Sequence, residues 1–139
     1  MKLLNIGVML LALFVGNNAL AAIQAKEKVT PAVCTAIETE AGTVAQMILD
    51  GDNDEFIDLI MNSAMKESID NVTDFTALWM VYNAVPFMRR TIDDRVFLTF
   101  AKRHPELTQA EALGLRMKII CSRSEGNMYT MPPESVRSK

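Results

Sequence analysis

The chain has 139 residues, half of them hydrophobic, and its 17 acids and 14 bases leave a net charge of −3. That length supports one domain with one core, and ten methionines beside few aromatics suit a helical interior filled by adaptable side chains. The balance excludes a strongly basic nucleic-acid binder; residues 22–75 hold eleven acids against three bases and residues 76–139 ten bases against six acids, so attraction between the halves is the simplest use of the charge.

The N-terminus reads as an export signal. Lys2 gives a positive start, Leu3 to Val15 is mostly apolar, and Ala19-Leu20-Ala21 has the small-x-small form cut by signal peptidase. The apolar run is too short to span a bilayer as a stable helix, and no cysteine stands at the cleavage point to take a lipid. Residues 1–21 are therefore expected to be a signal peptide removed near Ala21, leaving a periplasmic or secreted protein with no membrane span. In an oxidising compartment the two cysteines, Cys34 and Cys121, are expected to form a structural disulfide. A reactive pair would want a close C-x-x-C spacing that this chain lacks.

Residues 22–29 form a short polar lead, expected to be loose. Thr30-Pro31 is a helix start, with a capping hydroxyl and a proline at the first helical position. Val33, Ile37, Ala41, Val44, Ala45 and Ile48 then recur at helical spacing with Cys34 on the same side, and Asp50-Gly51 stops the helix. Asp52 or Asn53 can cap the next helix, in which Phe56, Ile57, Ile60 and Ala64 make the expected buried face and Asp54, Glu55 and Asp58 complement the dipole. Ser68 to Val72 has turn composition.

From Phe75 to Met88 the chain is apolar on every side, with the only tryptophan, Trp79, near the middle. Such a pattern predicts a central core helix buried by its neighbours, with Trp79 in the dry centre. Thr73 or Asp74 can cap it, and Pro86 is expected to kink or end it. Thr91 to Asp94 resembles a capping box opening a helix with Val96, Phe97, Phe100 and Ala101 inward, ended by Pro105. Thr108 and Glu111 form a cleaner box, opening a helix with Ala112, Leu115 and Ile119 on one line and Leu113, Met117 and Ile120 beside it. Residues 122–139 have little to bury and are expected to be a disordered tail after a helical domain at 22–121. No strand pattern is evident. The fold class expected is all-α, a single small bundle of about five helices around a central apolar helix, tied by one disulfide.

No residue is assigned a catalytic role. Asp50 to Asp54 has the alternating oxygens of a calcium loop, but Glu55 stands where the loop needs glycine and Met61 where it needs a bidentate glutamate. Met61 with Met65, and Met128 with Met131, are spaced like thioether copper ligands but lack an accompanying histidine, and a methionine stripe is more often core. No metal or other cofactor is expected. The lone His104, at a helix C-terminus before proline, suits interaction with free carbonyls better than general-base work. What remains are two charged surfaces, the acids Asp52, Asp54, Glu55 and Asp58 and the bases Arg89, Arg90 and Arg95. Each has a local use, the acids at a helix N-terminus and the arginines beside Asp93 and Asp94. Each also suits the rim of a protein interface, so these seven are the candidate partner-binding residues.

The run from Arg95 to Cys121, with Val96-Phe97-Leu98-Thr99-Phe100-Ala101-Lys102-Arg103, then His104-Pro105-Glu106, then a capped helix ending in cysteine, resembles the C-terminal half of small periplasmic immunity proteins that block cell-wall-degrading type VI secretion toxins. The overall plan also resembles small exported two-cysteine helical proteins of bacteria and phages. The first resemblance implies a helical, disulfide-bearing protein that works by binding another protein in the periplasm. The expected function is thus an exported non-enzymatic protein-binding module, an inhibitor or immunity factor. The alternatives are a cell-wall hydrolase or its accessory, a phage lysis or exclusion factor, and a metal-handling protein.

Overall fold

The computed structural model describes residues 25–133; the signal expected at 1–21 lies outside them, as do residues 134–139. Along the chain run a short strand β1 (Lys26–Lys28), five helices, α1 (Pro31–Leu49), α2 (Asp54–Glu67), α3 (Val72–Thr91), α4 (Arg95–Lys102) and α5 (Gln109–Ser122), and a second short strand β2 (Met128–Thr130). The all-α class and the five helices are as the sequence predicts. No helix among the described residues is long and apolar enough to cross a membrane.

Local chemistry sets the helix starts. The Thr30 hydroxyl accepts from the Val33 N–H at 3.2 Å, with Pro31 at the first position of α1. The Asn53 side chain accepts from Phe56 N–H at 2.9 Å. Thr108 and Glu111 form the reciprocal box at the start of α5, at 3.1 and 2.8 Å. Two starts differ from expectation. Asn71, not Thr73 or Asp74, caps α3, accepting from the Asp74 N–H while its amide donates to the Asp74 carboxylate. Thr91 is the last residue of α3, and Asp94 caps α4 by accepting from Val96 N–H at 3.0 Å.

Pro86 does not end α3, which continues to Thr91. Proline has no N–H to donate to the Tyr82 carbonyl, and its ring crowds the preceding turn. Here Pro86 is exposed, so the interruption faces solvent.

The middle of the bundle is α1, which packs against both α5 and α3, while α2 rests on α3 and α4 on α5. α1 turns Val33, Cys34, Ile37, Ala41, Val44 and Ala45 inward, and α3 adds Phe75, Ala77, Leu78, Val81, Val85 and Met88. Cys34 near the start of α1 is bonded to Cys121 near the end of α5, with a Cα–Cα distance of 5.5 Å and a sequence separation of 87. Along the same seam Lys118 meets Glu38 at 2.8 Å. Gly114 of α5 lies so close to α1 that a methyl group in place of its hydrogen would run into the Glu38 carbonyl and stand 3.1 Å from the Gly42 nitrogen. α1 and α5 therefore touch backbone to backbone, one end clasped covalently.

The lead and the tail are not loose where they are described. β1 and β2 pair antiparallel, Lys26 opposite Thr130 and Lys28 opposite Met128. Further bonds extend the ladder, Val29 N–H to Asn127 O, Gly126 N–H to Val29 O and Met131 N–H to Ala25 O, each 2.8 Å. Val29 and Met131 are buried in the main core. The expected tail from Ser122 is thus a turn and a strand over these residues, because its backbone groups find partners in the N-terminal lead and Met131 finds a place to bury. Trp79 is half-buried rather than central: its ring stacks on Tyr82 and its indole N–H donates to the Thr130 carbonyl at 3.0 Å. An indole with a donor to satisfy does better beside that carbonyl than in a dry interior.

Candidate functional site

The α1–α2 turn places the acidic stretch. Asp50 closes α1, Gly51 has φ +86°, a left-handed turn that a side chain would strain, and Asn53 opens α2. Asp54 and Glu55 then fall in the first turn of α2, where the helix dipole favours them. α2 lies on α3 so that the two charged surfaces meet. Arg89 Nε donates to Asp54 Oδ1 at 2.6 Å, and its Nη2 to the Asp52 carbonyl at 2.9 Å. The arginine therefore ties the start of α2 to the end of α3 and is not directed at Asp93 or Asp94.

Beside this pair runs a groove of about 570 Å³ between α2 and α3, lined by Asp54, Asp58, Tyr82, Asn83, Val85, Pro86, Arg89 and Arg90. Of the seven candidate residues, Asp54, Asp58, Arg89 and Arg90 line it, and Asp52 is outside its lining, joined to Arg89 through its carbonyl. Glu55 is exposed on α2 outside the groove lining, and Arg95 opens α4, also outside it. Asp58 and Arg90 have no ion pair among the described residues. The arrangement can present one acid and one base to a partner, in a groove whose lining also includes Val85 and Pro86.

The opposite side of α2 carries a feature that periodicity alone did not assign. α2 buries Ile57, Met61 and Met65, not the expected Phe56 and Ile60. Phe56, Leu59 and Ile60 are 45%, 63% and 39% exposed. At i, i+3 and i+4 they share one stripe on the side of the helix away from α3. Five apolar residues among Phe56 to Met61 leave both sides of the helix competing for the core, and that excess was the available signal. The side carrying the flexible methionines is the one that fits against α3. Val96 of α4, expected inward, is likewise exposed, and only Phe97 of that helix is fully buried.

The other sequence candidates are structural. Met61, Met65 and Met131 are buried while Met128 is exposed, so neither methionine pair is presented as a pair to solvent. Among the described residues no three His, Cys, Asp or Glu side chains converge as metal ligands. His104 stands 4.8 Å from the Phe100 ring, with Nδ1 3.3 Å from Glu106 Oε1, and Arg116 covers Phe100 at 5.4 Å. The Glu106 carboxyl is held below its ordinary range by its own backbone N–H, and by His104 after that. Glu40 on α1 is shifted the other way, raised by burial and then by the charge of Asp74.

Comparison of the chain with protein-family models, curated proteins and solved structures returns no match.

Proposed function

We propose that this chain is an exported, non-enzymatic protein-binding module, an inhibitor or immunity factor, that meets its partner with α2 and the neighbouring groove. The observation that carries the reading is the outward stripe of Phe56, Leu59 and Ile60. Scattered apolar residues on a surface are ordinary, but three large ones contiguous on a helix and bordered by charge have the composition of an interface core with a polar rim. The disulfide supports the export half of the reading, since such bonds persist in oxidising compartments. The resemblance of residues 95–121 to periplasmic immunity proteins agrees with it and adds the expectation that the partner is a cell-wall-degrading toxin.

Immobilised mature chain incubated with periplasmic extract, and with cell-wall hydrolases of type VI secretion systems, tests the proposal. The expected result is a stoichiometric complex that silences the bound enzyme. Retention of no protein at physiological salt would count decisively against it, as would release of soluble fragments when the chain alone is mixed with peptidoglycan.

A further inference from the structure

We infer that a half-enclosed cavity between α1, α3, α5 and β2 binds a small neutral molecule, one apolar ring or short alkyl chain that carries a hydroxyl group. This site is separate from the surface given to a protein partner above. The cavity measures about 190 Å³. Ile37 of α1, Val81 of α3 and Met117 and Cys121 of α5 line it, and all four are buried. Among the described residues Ser124 and Tyr129, both half-buried, supply its only polar side chains, and no charged one takes part. The walls are tied to one another. The Cys34–Cys121 bond joins α1 to α5, and the bond from the Trp79 indole to the Thr130 carbonyl joins α3 to β2. A pocket whose walls are held apart in this way is formed before its ligand arrives, so little ordering is left to oppose binding.

Size and chemistry select the occupant. A cavity of about 150 Å³ lined by aliphatic and aromatic side chains stays dry and takes benzene, so this one has room for a ring with a short substituent. Water gains little in the inner part, because a buried water needs two to four polar partners and the buried lining is apolar. An ion would lose its hydration with no opposite charge to replace it. The Ser124 and Tyr129 hydroxyls make no hydrogen bond among the described residues, so each can donate to or accept from one hydroxyl on the ligand. A protein side chain is a poorer match. None of the large apolar residues exposed on the surface lines this cavity, and it shares no residue with the α2–α3 groove, so an inserted side chain would lack the apolar surround of an interface core.

The mature chain, labelled with nitrogen-15, is titrated with toluene, benzyl alcohol and benzoate, three probes of one size that differ in polarity and charge. Saturable shifts centred on Val81, Met117, Cys121 and Tyr129 are expected with toluene and benzyl alcohol, with benzoate at least tenfold weaker. Ala84 also lines the cavity, and Ala84→Phe should fill the space and weaken both neutral probes at least tenfold. Ser124→Ala lies outside the core and should lower the benzyl alcohol affinity about three- to tenfold while leaving toluene unchanged, the signature of one lost hydrogen bond. Melting temperatures establish that both variants are folded, and the Ser124→Ala comparison stands even where Ala84→Phe is not. Absence of saturable binding by the neutral probes, shifts centred elsewhere, or benzoate binding as tightly as benzyl alcohol would each overturn the inference. So would contacts from residues 134–139 to Val81 or Met117 in the probe-free protein, which would make the chain its own occupant. A protein captured from periplasm that expels bound benzyl alcohol would assign the cavity to that partner and remove the small-molecule reading, whereas capture of nothing removes the binding-module proposal and leaves this one standing.

Discussion

The contact between α1 and α5 makes a paired prediction with opposite signs. On an exposed helix, replacing glycine by alanine stabilises by about 1 kcal/mol, since alanine loses less backbone freedom. Gly42 has room for it: an added methyl would find only the Ala110 carbonyl, at an ordinary 3.8 Å. Gly42→Ala should therefore raise stability by roughly 0.5–1 kcal/mol. Gly114 has none. Its methyl would strike the Glu38 carbonyl, which is helix backbone and cannot rotate aside, with the Gly42 nitrogen and Cα at 3.1 and 3.3 Å beyond it. Relief requires α5 to slide off α1, opening the seam packed by Ala41, Ala45, Ala110 and Leu113. Overpacking of that kind costs about 1–3 kcal/mol, and the rigidity of the obstacle argues for the upper end. After the helix-propensity gain, Gly114→Ala should lose about 2 kcal/mol, a fall in melting temperature on the order of 10 °C for a domain of this size. Thermal unfolding followed by circular dichroism, with the disulfide intact in all three proteins, reads both changes. Should Gly114→Ala melt at or above the parent, or should the two variants shift in the same direction, the backbone contact described here is wrong.

Three further outcomes are expected. Thr76 is buried with its hydroxyl lacking a hydrogen-bond partner among the described residues, so Thr76→Val should stabilise by about 1 kcal/mol in denaturant titrations, and a loss would mean that the hydroxyl is bonded. Protein prepared from an exporting host should take up no thiol-alkylating reagent until it is reduced and unfolded, and replacing both cysteines by alanine should cost about 4–5 kcal/mol on the chain-entropy account; two alkylatable thiols in the native protein would contradict the bridge. Glu40, whose carboxyl is raised in the fold, destabilises the native state when ionised. Its protonated form contributes stability that is fully present below the ordinary glutamate range and is lost as pH rises through the raised value. Glu40→Gln should thus be more stable than the parent at neutral pH, and the gap should close in acid; a gap constant across pH would remove burial and Asp74 as its cause.

The sequence was most informative where structure is decided within one turn of chain. Thr30-Pro31, Asn53 and the Thr108–Glu111 box cap helices because a side-chain oxygen reaches an N–H two or three residues on, whatever the rest of the molecule does. The pairing of Cys34 with Cys121 followed from there being only two. What could not be read depends on distant chain. β1 and β2 are three residues each and about a hundred apart, and neither alternates in a way that signals a strand. The choice between the two apolar sides of α2 was made by the fit of Ile57, Met61 and Met65 against α3, which no periodicity specifies. The candidate site shows the same division. Its acids and arginines were recognisable as charged clusters, yet that Asp54 and Asp58 would share a groove with Arg89 and Arg90 is a product of the α2–α3 packing, and the outward Phe56, Leu59 and Ile60 emerge only once the inner side is known.

The pairing of β1 with β2 has a practical corollary. Because the Ala25 carbonyl holds the Met131 N–H, any fusion joined at the front of the folded unit and any joined at its back leave from neighbouring points. A linker of a few residues could join them into a ring, which could then be cut in the turn between Ser68 and Asn71. Such a permuted chain would keep every helix, the sulfur bridge and the α2 stripe while moving its entry and exit points elsewhere, so a handle for immobilisation could be placed at either location to learn which side a partner must approach.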